Sequence, residues 1–178
     1  MLDALFGRKR EMRDAADGLY VALVEQARAP WLYIDLEVPD TVDGRFDLIA
    51  LHVWAAHRVL AAAEAPGPEL AQRMVDTMFT DMDRGLRELG VGDHGIARRL
   101  KQMVGAFRGR FAAYEAAEGR EGLATALSRN VYRSEEPAAQ ADVLAAYAHE
   151  LAARFAATPV GDLMAARLPA APTRESLA

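Results

Sequence analysis

The chain contains no cysteine. Disulfide cross-links, thiolate metal sites and cysteine nucleophiles are thereby excluded, and the absence fits a reducing compartment. Positive charge is also short: 21 lysines and arginines stand against 26 acidic residues, for a formal net charge of -5. A general nucleic-acid binder would show a basic excess or a basic face, so nucleic acid is not an expected partner. No apolar run reaches the roughly 20 residues a bilayer-spanning helix requires. The most apolar stretch, 48–63, is interrupted by His52, His57 and Arg58. The opening "MLDALFGRKREMR" places its apolar residues before its positive cluster, with no apolar core behind it. It does not read as a secretory signal, and a cytoplasmic protein is expected. Strand signals, solenoid repeats, phosphate-cradling glycine loops and serine nucleophile motifs are all missing.

Metal-ligating and acid–base constellations are equally thin. His52 and His57 are five positions apart, where one helical face needs three or four. His94 stands beside a helix cap and His149 stands alone. In "DTMFTDMD" the carboxylates Asp76, Asp81 and Asp83 do not converge on one helical face, so a magnesium site for isoprenoid diphosphate chemistry is not expected. Neither an enzyme, nor a metal, nor a cofactor is expected from the residues.

What the sequence does contain is apolar residues at helical spacing. With 178 residues and 52% hydrophobic content it can bury one sizeable core. The expectation is an all-α, single-domain bundle of about six helices spanning residues 11–167. Met12, Ala16, Leu19, Leu23 and Ala27 mark a first helix, stopped by Pro30. The alternation in "WLYIDLEVP" predicts an extended linker between the first two helices. Thr41 or Asp43 is placed to cap a second helix, over about 43–63, that is apolar nearly all round and so belongs at the centre. Met74, Val75, Met78, Phe79, Met82, Leu86 and Leu89 form the stripe of a third helix, closed by Gly90 with Val91 sealing the cap. Asp93 suits the N-cap of a fourth, whose stripe runs Ile96, Leu100, Met103, Val104, Phe107, Phe111 and Tyr114. Two further helices are predicted over about 122–132 and 138–157, and the tail 168–178 reads as disordered.

The densest charge lies in "DMDRGLRELGVGDHGIARRLK", residues 81–101. Spacing allows Asp83 to pair with Arg87 and Arg84 with Glu88, so the stretch fits a solvated helical corner as well as a docking surface. Gly105 and Gly109 lie one turn apart on the far side of the fourth helix. Glycine inside a helix costs about 0.5–1 kcal/mol relative to alanine, so two on one face predict something packed closely there, a helix of this domain sooner than a partner.

Three blocks in order, "VPDTVDGRFDLIALHV", "DMDRGLRELGVGD" and "SRNVY", resemble the ubiquinol-cytochrome-c chaperone family, the assembly factors of respiratory complex III. The likeness spans about residues 20–163. Asp40, Thr41, Gly44, Arg45, Phe46 and His52 match the first block; Asp81, Met82, Asp83, Arg84, Arg87, Gly90 and Asp93 the second; Arg129, Asn130 and Tyr132 the third. The resemblance implies an all-α, non-enzymatic chaperone that binds newly made cytochrome b, with a small helper subunit as a further candidate partner. Backbone geometry explains Gly44 and Gly90, capping explains Thr41 and Asp93, and the core explains Phe46.

A polytopic membrane client exposes apolar helices joined by charged loops, so its holder should combine an apolar groove with fixed ionic groups. Trp31 and Tyr33 are candidates for that groove, with core packing the plainer account of Trp31. Asp40, Arg45, His52, Asp81, Asp83, Arg84, Arg87 and Arg98 are candidate client contacts. Residues 1–10 form a candidate membrane-surface segment, with Leu2, Leu5 and Phe6 at helical spacing and Arg8, Lys9 and Arg10 available to anionic headgroups; a frayed terminus is the alternative. Peripheral placement at the cytoplasmic face of the inner membrane follows. The competing function, prompted by the methionine- and histidine-bearing central helices, is a helical haem- or lipid-binding domain.

Overall fold

The computed structural model describes residues 2–177, with side chains from Phe6 onward. Leu2 and Leu5 of the expected membrane segment therefore lie outside the residues whose side chains are described. Eight α-helices are present among the described residues: α1 (Leu2–Ala27), α2 (Pro30–Ile34), α3 (Val42–Ala62), α4 (Gly67–Glu88), α5 (Asp93–Glu115), α6 (Gly119–Asn130), α7 (Ala139–Ala156) and α8 (Val160–Met164). Six of them have 12 residues or more, and no described residue lies in a strand.

Helix α3 is the axis of the bundle, as its all-round apolarity predicts. It packs against α1, α4, α5 and α7, and Leu48, Ala50, Leu51, Val53, Ala55 and Leu60 are completely buried. Each buried leucine of this kind contributes about 1.5–3 kcal/mol over an exposed one. Helices α6 and α7 form an antiparallel hairpin on one flank, and α1 with α4 the other. Helix α5 lies at the edge, against α4 and α6 and only briefly against α3.

The caps explain where the helices start and stop. The Thr41 hydroxyl accepts from the Gly44 amide at 3.1 Å, and a Cβ on Gly44 would fall 1.9 Å from the Pro39 carbonyl oxygen, so only glycine fits that first turn. Gly90 closes α4 in the left-handed region at φ 76°. Its amide bonds to the Arg87 carbonyl and that of Val91 to the Leu86 carbonyl, the Schellman pattern.

Three expectations are corrected. Pro30 does not lead into an extended linker: its fixed φ suits the first position of a helix, and α2 follows before the chain turns through Glu37, whose φ is 53°. Residues 2–10 continue into the bundle, since α1 runs unbroken from Leu2 to Ala27. Asp93 is the first residue of α5 and makes no side-chain cap; Gly92 holds the N-cap, and the Asp93 carboxylate turns to Arg87 instead. The tail after Arg167 folds back across the bundle, because its carbonyls find donors there. Gln26 donates to Pro169 at 2.7 Å and Arg154 to Ala170 at 2.9 Å, Pro172 is buried, and Arg174 reaches Asp35 at 3.0 Å.

Candidate functional site

A groove of about 460 Å³ runs between α1 and α4. Its α1 wall presents Tyr20, Val24 and Glu25, with Arg28 just past the end of the helix and Val21 at 55% exposure. Its α4 wall presents Thr77, Thr80, Asp81 and Arg84. The two walls are bolted together by polar bonds: Tyr20 donates to Asp81 at 3.0 Å and Thr77 to Asp17 at 2.7 Å. Arg84 pairs with the second Asp81 oxygen, so one carboxylate serves both a buried phenol and an exposed guanidinium. Burial first, and then the Asp81 charge, push the Tyr20 phenol well above its ordinary range, which keeps it a neutral donor.

Arg28 stands at the open end of this groove, within electrostatic reach of both Tyr20 and Tyr33. Beyond it lies the second group of expected residues. The Tyr33 hydroxyl donates to the Ala27 carbonyl at 3.0 Å, and the charges of Asp40 and Arg45 reach it. Arg45 and Asp40 pair at 2.7 Å, which lowers the exposed Asp40 carboxyl below its usual range. Tyr33, just before the first sequence block, and Asp40 and Arg45 within it thus lie near Arg28, which lines the same groove as Asp81 and Arg84 from the second. Exposed Ile34, at 74%, adds an apolar point beside Tyr33. Trp31 is half-buried, its ring edge-on to Tyr147 with centroids 5.6 Å apart, so most of it serves packing.

Other expected residues fall elsewhere. Asp83 and Arg87 sit at the α4–α5 corner, where Arg87 bridges Asp83 at 2.7 Å and Asp93 at 3.0 Å. Arg84 takes Asp81 as partner and not Glu88. Arg98 points away from the groove, on the outer side of α5. His52 is wholly buried and touches no surface, which corrects its place among the client contacts. Its ring bonds to the Leu48 carbonyl at 2.8 Å and the Tyr147 hydroxyl at 2.7 Å, and burial lowers its pKa to about 4. With both nitrogens engaged it is poorly suited to ligate haem. His57 is half-buried, edge-on to Phe111. Among the described residues no group of three or more histidines and carboxylates converges as a metal site would require.

The sequence reading missed a buried ionic centre. Asp47, completely buried within the first block, accepts from Arg110 of α5 at 2.7 Å and from Arg133 at 2.9 Å. Arg110 is itself buried and also donates to the Ala106 carbonyl. Burial pushes the Asp47 carboxyl up to about 6 against the pull of the two guanidiniums, so it remains ionised at neutral pH. Arg133 follows the third block directly. In that block Asn130 bonds back to Ala126, and the Tyr132 hydroxyl donates to the Leu36 carbonyl. The first and third blocks are therefore a joint that locks α3, α5 and the α6–α7 connection together. A charged residue facing the core stripe of an otherwise apolar helix was the signal available for Asp47. For the groove it was Tyr20, Val24 and Arg28 recurring beside the α1 stripe.

Known proteins resemble this chain in sequence and fold. The family model described as "Ubiquinol-cytochrome C chaperone" matches residues 35–171. A curated mouse protein, ubiquinol-cytochrome c reductase complex assembly factor 1, is 25% identical over 144 residues, covering 78% of this chain and 48% of that protein. The chain thus spans about half the length of that relative. The crystal structure of the Cbp3 homolog from Brucella abortus superposes with a TM-score of 0.79 at 33% identity, covering 94% of this chain and 95% of that one. On the extent of the match to its family model and the agreement of the whole fold, the chain belongs to the ubiquinol-cytochrome C chaperone family.

Proposed function

We propose that this protein is a non-enzymatic assembly chaperone for ubiquinol-cytochrome c reductase that holds newly made cytochrome b. Family membership supports the assembly role. The observation that carries the binding surface is the meeting of two sequence-distant blocks around Arg28: a groove that sets Tyr20, Val21 and Val24 among polar and charged side chains, with Arg84 and Arg28 in its lining, and with Tyr33, Ile34 and the Asp40–Arg45 pair beyond Arg28. A membrane subunit awaiting assembly offers apolar helices and charged connecting loops, and this surface has a counterpart for each. Val21 and Ile34 would meet the apolar parts, and Arg28 and Arg84 acidic loop residues. A small helper subunit would complete shelter that a groove this open does not give alone.

Membrane contact is proposed for the start of α1. Every residue from Phe6 to Glu11 is exposed, and Arg8, Lys9 and Arg10 accompany Phe6 at 65% exposure, a composition suited to weak binding at an anionic surface. The working place is then the cytoplasmic face of the inner membrane. No helix among the described residues is long and apolar enough to cross the bilayer itself.

Deletion of the gene in a host that makes the complex tests the function. Loss of the cytochrome b absorbance with other membrane cytochromes intact is expected, and a photo-crosslinker at Val21 or Ile34 should capture cytochrome b. A deletion strain with normal quinol-oxidising complexes would overturn the assignment. Crosslinks that form from Leu89, the C-cap of α4 and outside the lining of the groove, but not from Val21 or Ile34 would overturn the surface.

A further inference from the structure

Most arginines among the described residues are within 4.0 Å of a carboxylate. Arg98, Lys101 and Arg108 are not, and all three are exposed on α5. Between Asp93 and Glu115 at its two ends, that helix carries no acidic residue at all. In a chain of net charge -5, three unpaired positive side chains therefore lie along one outer helix.

Its spacing is that of a helix–helix seam. Arg98, Lys101, Gly105, Arg108 and Ala112 recur at intervals of three and four, which places them on one stripe covering about 21 Å of helix axis. Gly105 and Gly109 were expected to sit under another helix of this domain. They do not: a Cβ on either would meet nothing within 4 Å. Beside the stripe, a groove of about 390 Å³ opens between α4 and α5, floored by Val75, Phe79, Val104, Phe107 and Phe111, with Arg108 on its edge. The phenyl rings of Phe79 and Phe107 meet edge-on at 5.4 Å, and the one carboxylate lining the groove, Asp76, is already bonded by Gln72.

We propose that this face of α5 and the adjoining aromatic groove dock an acidic amphipathic helix of a protein partner, at a surface separate from the α1–α4 groove. Carboxylates of that helix answer Arg98, Lys101 and Arg108, its backbone approaches over Gly105 and Gly109, and its apolar side enters the groove. Lipid suits the face less well. The large apolar side chains that protrude among the described residues, Phe6, Val21, Ile34, Val42 and Leu89, all lie off α5, so nothing there would enter a bilayer.

The test uses the full chain and a labelled synthetic helical peptide with leucines on one face and glutamates flanking it, followed by fluorescence anisotropy at low salt. Binding is expected, and a peptide with lysine in place of glutamate should not bind. The triple variant Arg98→Glu, Lys101→Glu, Arg108→Glu should weaken binding by about tenfold or more. The double variant Gly105→Gln, Gly109→Gln should weaken it while leaving the melting temperature unchanged or higher, because glutamine is the better helix former and its Cβ meets no obstacle. Arg28→Glu with Arg84→Glu should bind the peptide as wild type does, whatever becomes of cytochrome b. No peptide binding, or glycine variants that bind normally, overturns the proposal. So does flotation with phosphatidylglycerol vesicles that is lost in the triple variant while the peptide fails to bind, since that makes the face a lipid surface.

Discussion

Replacing Asp47 by alanine should be among the most damaging single changes outside the apolar core. The carboxylate is completely buried and answers Arg110, whose side chain is 9% exposed, together with Arg133, which is half exposed. Removing it strands the Arg110 guanidinium with only the Ala106 carbonyl and a distant Asn130 carbonyl at 3.5 Å. Breaking a buried pair from one side costs about 3–5 kcal/mol, because the remaining charge stays out of water without compensation. Against a total stability of about 5–15 kcal/mol that is a large fraction. For a chain of this size each kcal/mol moves the melting temperature by about 2–4 °C, so a fall of roughly 6–20 °C is expected. Differential scanning calorimetry with urea unfolding would measure it. Replacing both partners, Asp47→Leu with Arg110→Met, should recover most of the loss, since Arg133 can turn to water and no buried charge is left. If Asp47→Ala changes stability by less than about 1 kcal/mol, or the double variant falls further than the single, the joint does not hold the fold as argued.

Three further outcomes follow from the geometry. Gly90→Ala places a Cβ at φ 76°, and should cost about 1–2 kcal/mol in urea unfolding; a neutral effect would show that the α4 cap relaxes freely. His52 has a folded pKa near 4 against an ordinary 6.5, so the unfolded chain binds the extra proton between those values and stability is lost as pH falls through that window. Asp47, raised to about 6, acts in the opposite sense between about 4 and 6, so the clean reading is the difference between variants: His52→Gln should lose less melting temperature than wild type from pH 7 to pH 5, and an equal loss would mean His52 is not held neutral. Deleting residues 1–10 should lower the fraction floating with anionic vesicles at low salt, and unchanged flotation would remove the membrane role assigned to the start of α1.

The six longer helices, their order and the caps at Thr41 and Gly90 were legible because they depend on neighbours in sequence. Apolar residues three and four apart must share a face, Thr41 reaches an amide three residues on, and Gly90 alone tolerates its backbone angle. Pro30 was misjudged for a related reason: the same fixed angle that ends one helix begins another, and only the path of the following residues tells which. The likeness of three short blocks to a known family was also a property of the chain as written.

Pairings across the bundle were not. Nothing in the order of residues sets Asp47 against Arg110 and Arg133, 63 and 86 positions away, or makes Tyr20 the donor to Asp81. Nor could spacing tell that His52 turns inward to Tyr147, that Arg28 stands between two separated blocks, or that Gly105 and Gly109 face open solvent. Periodicity fixes which side of a helix is apolar, but which charges become buried, paired or left free depends on how neighbouring helices are set against one another, and that is decided by packing in three dimensions.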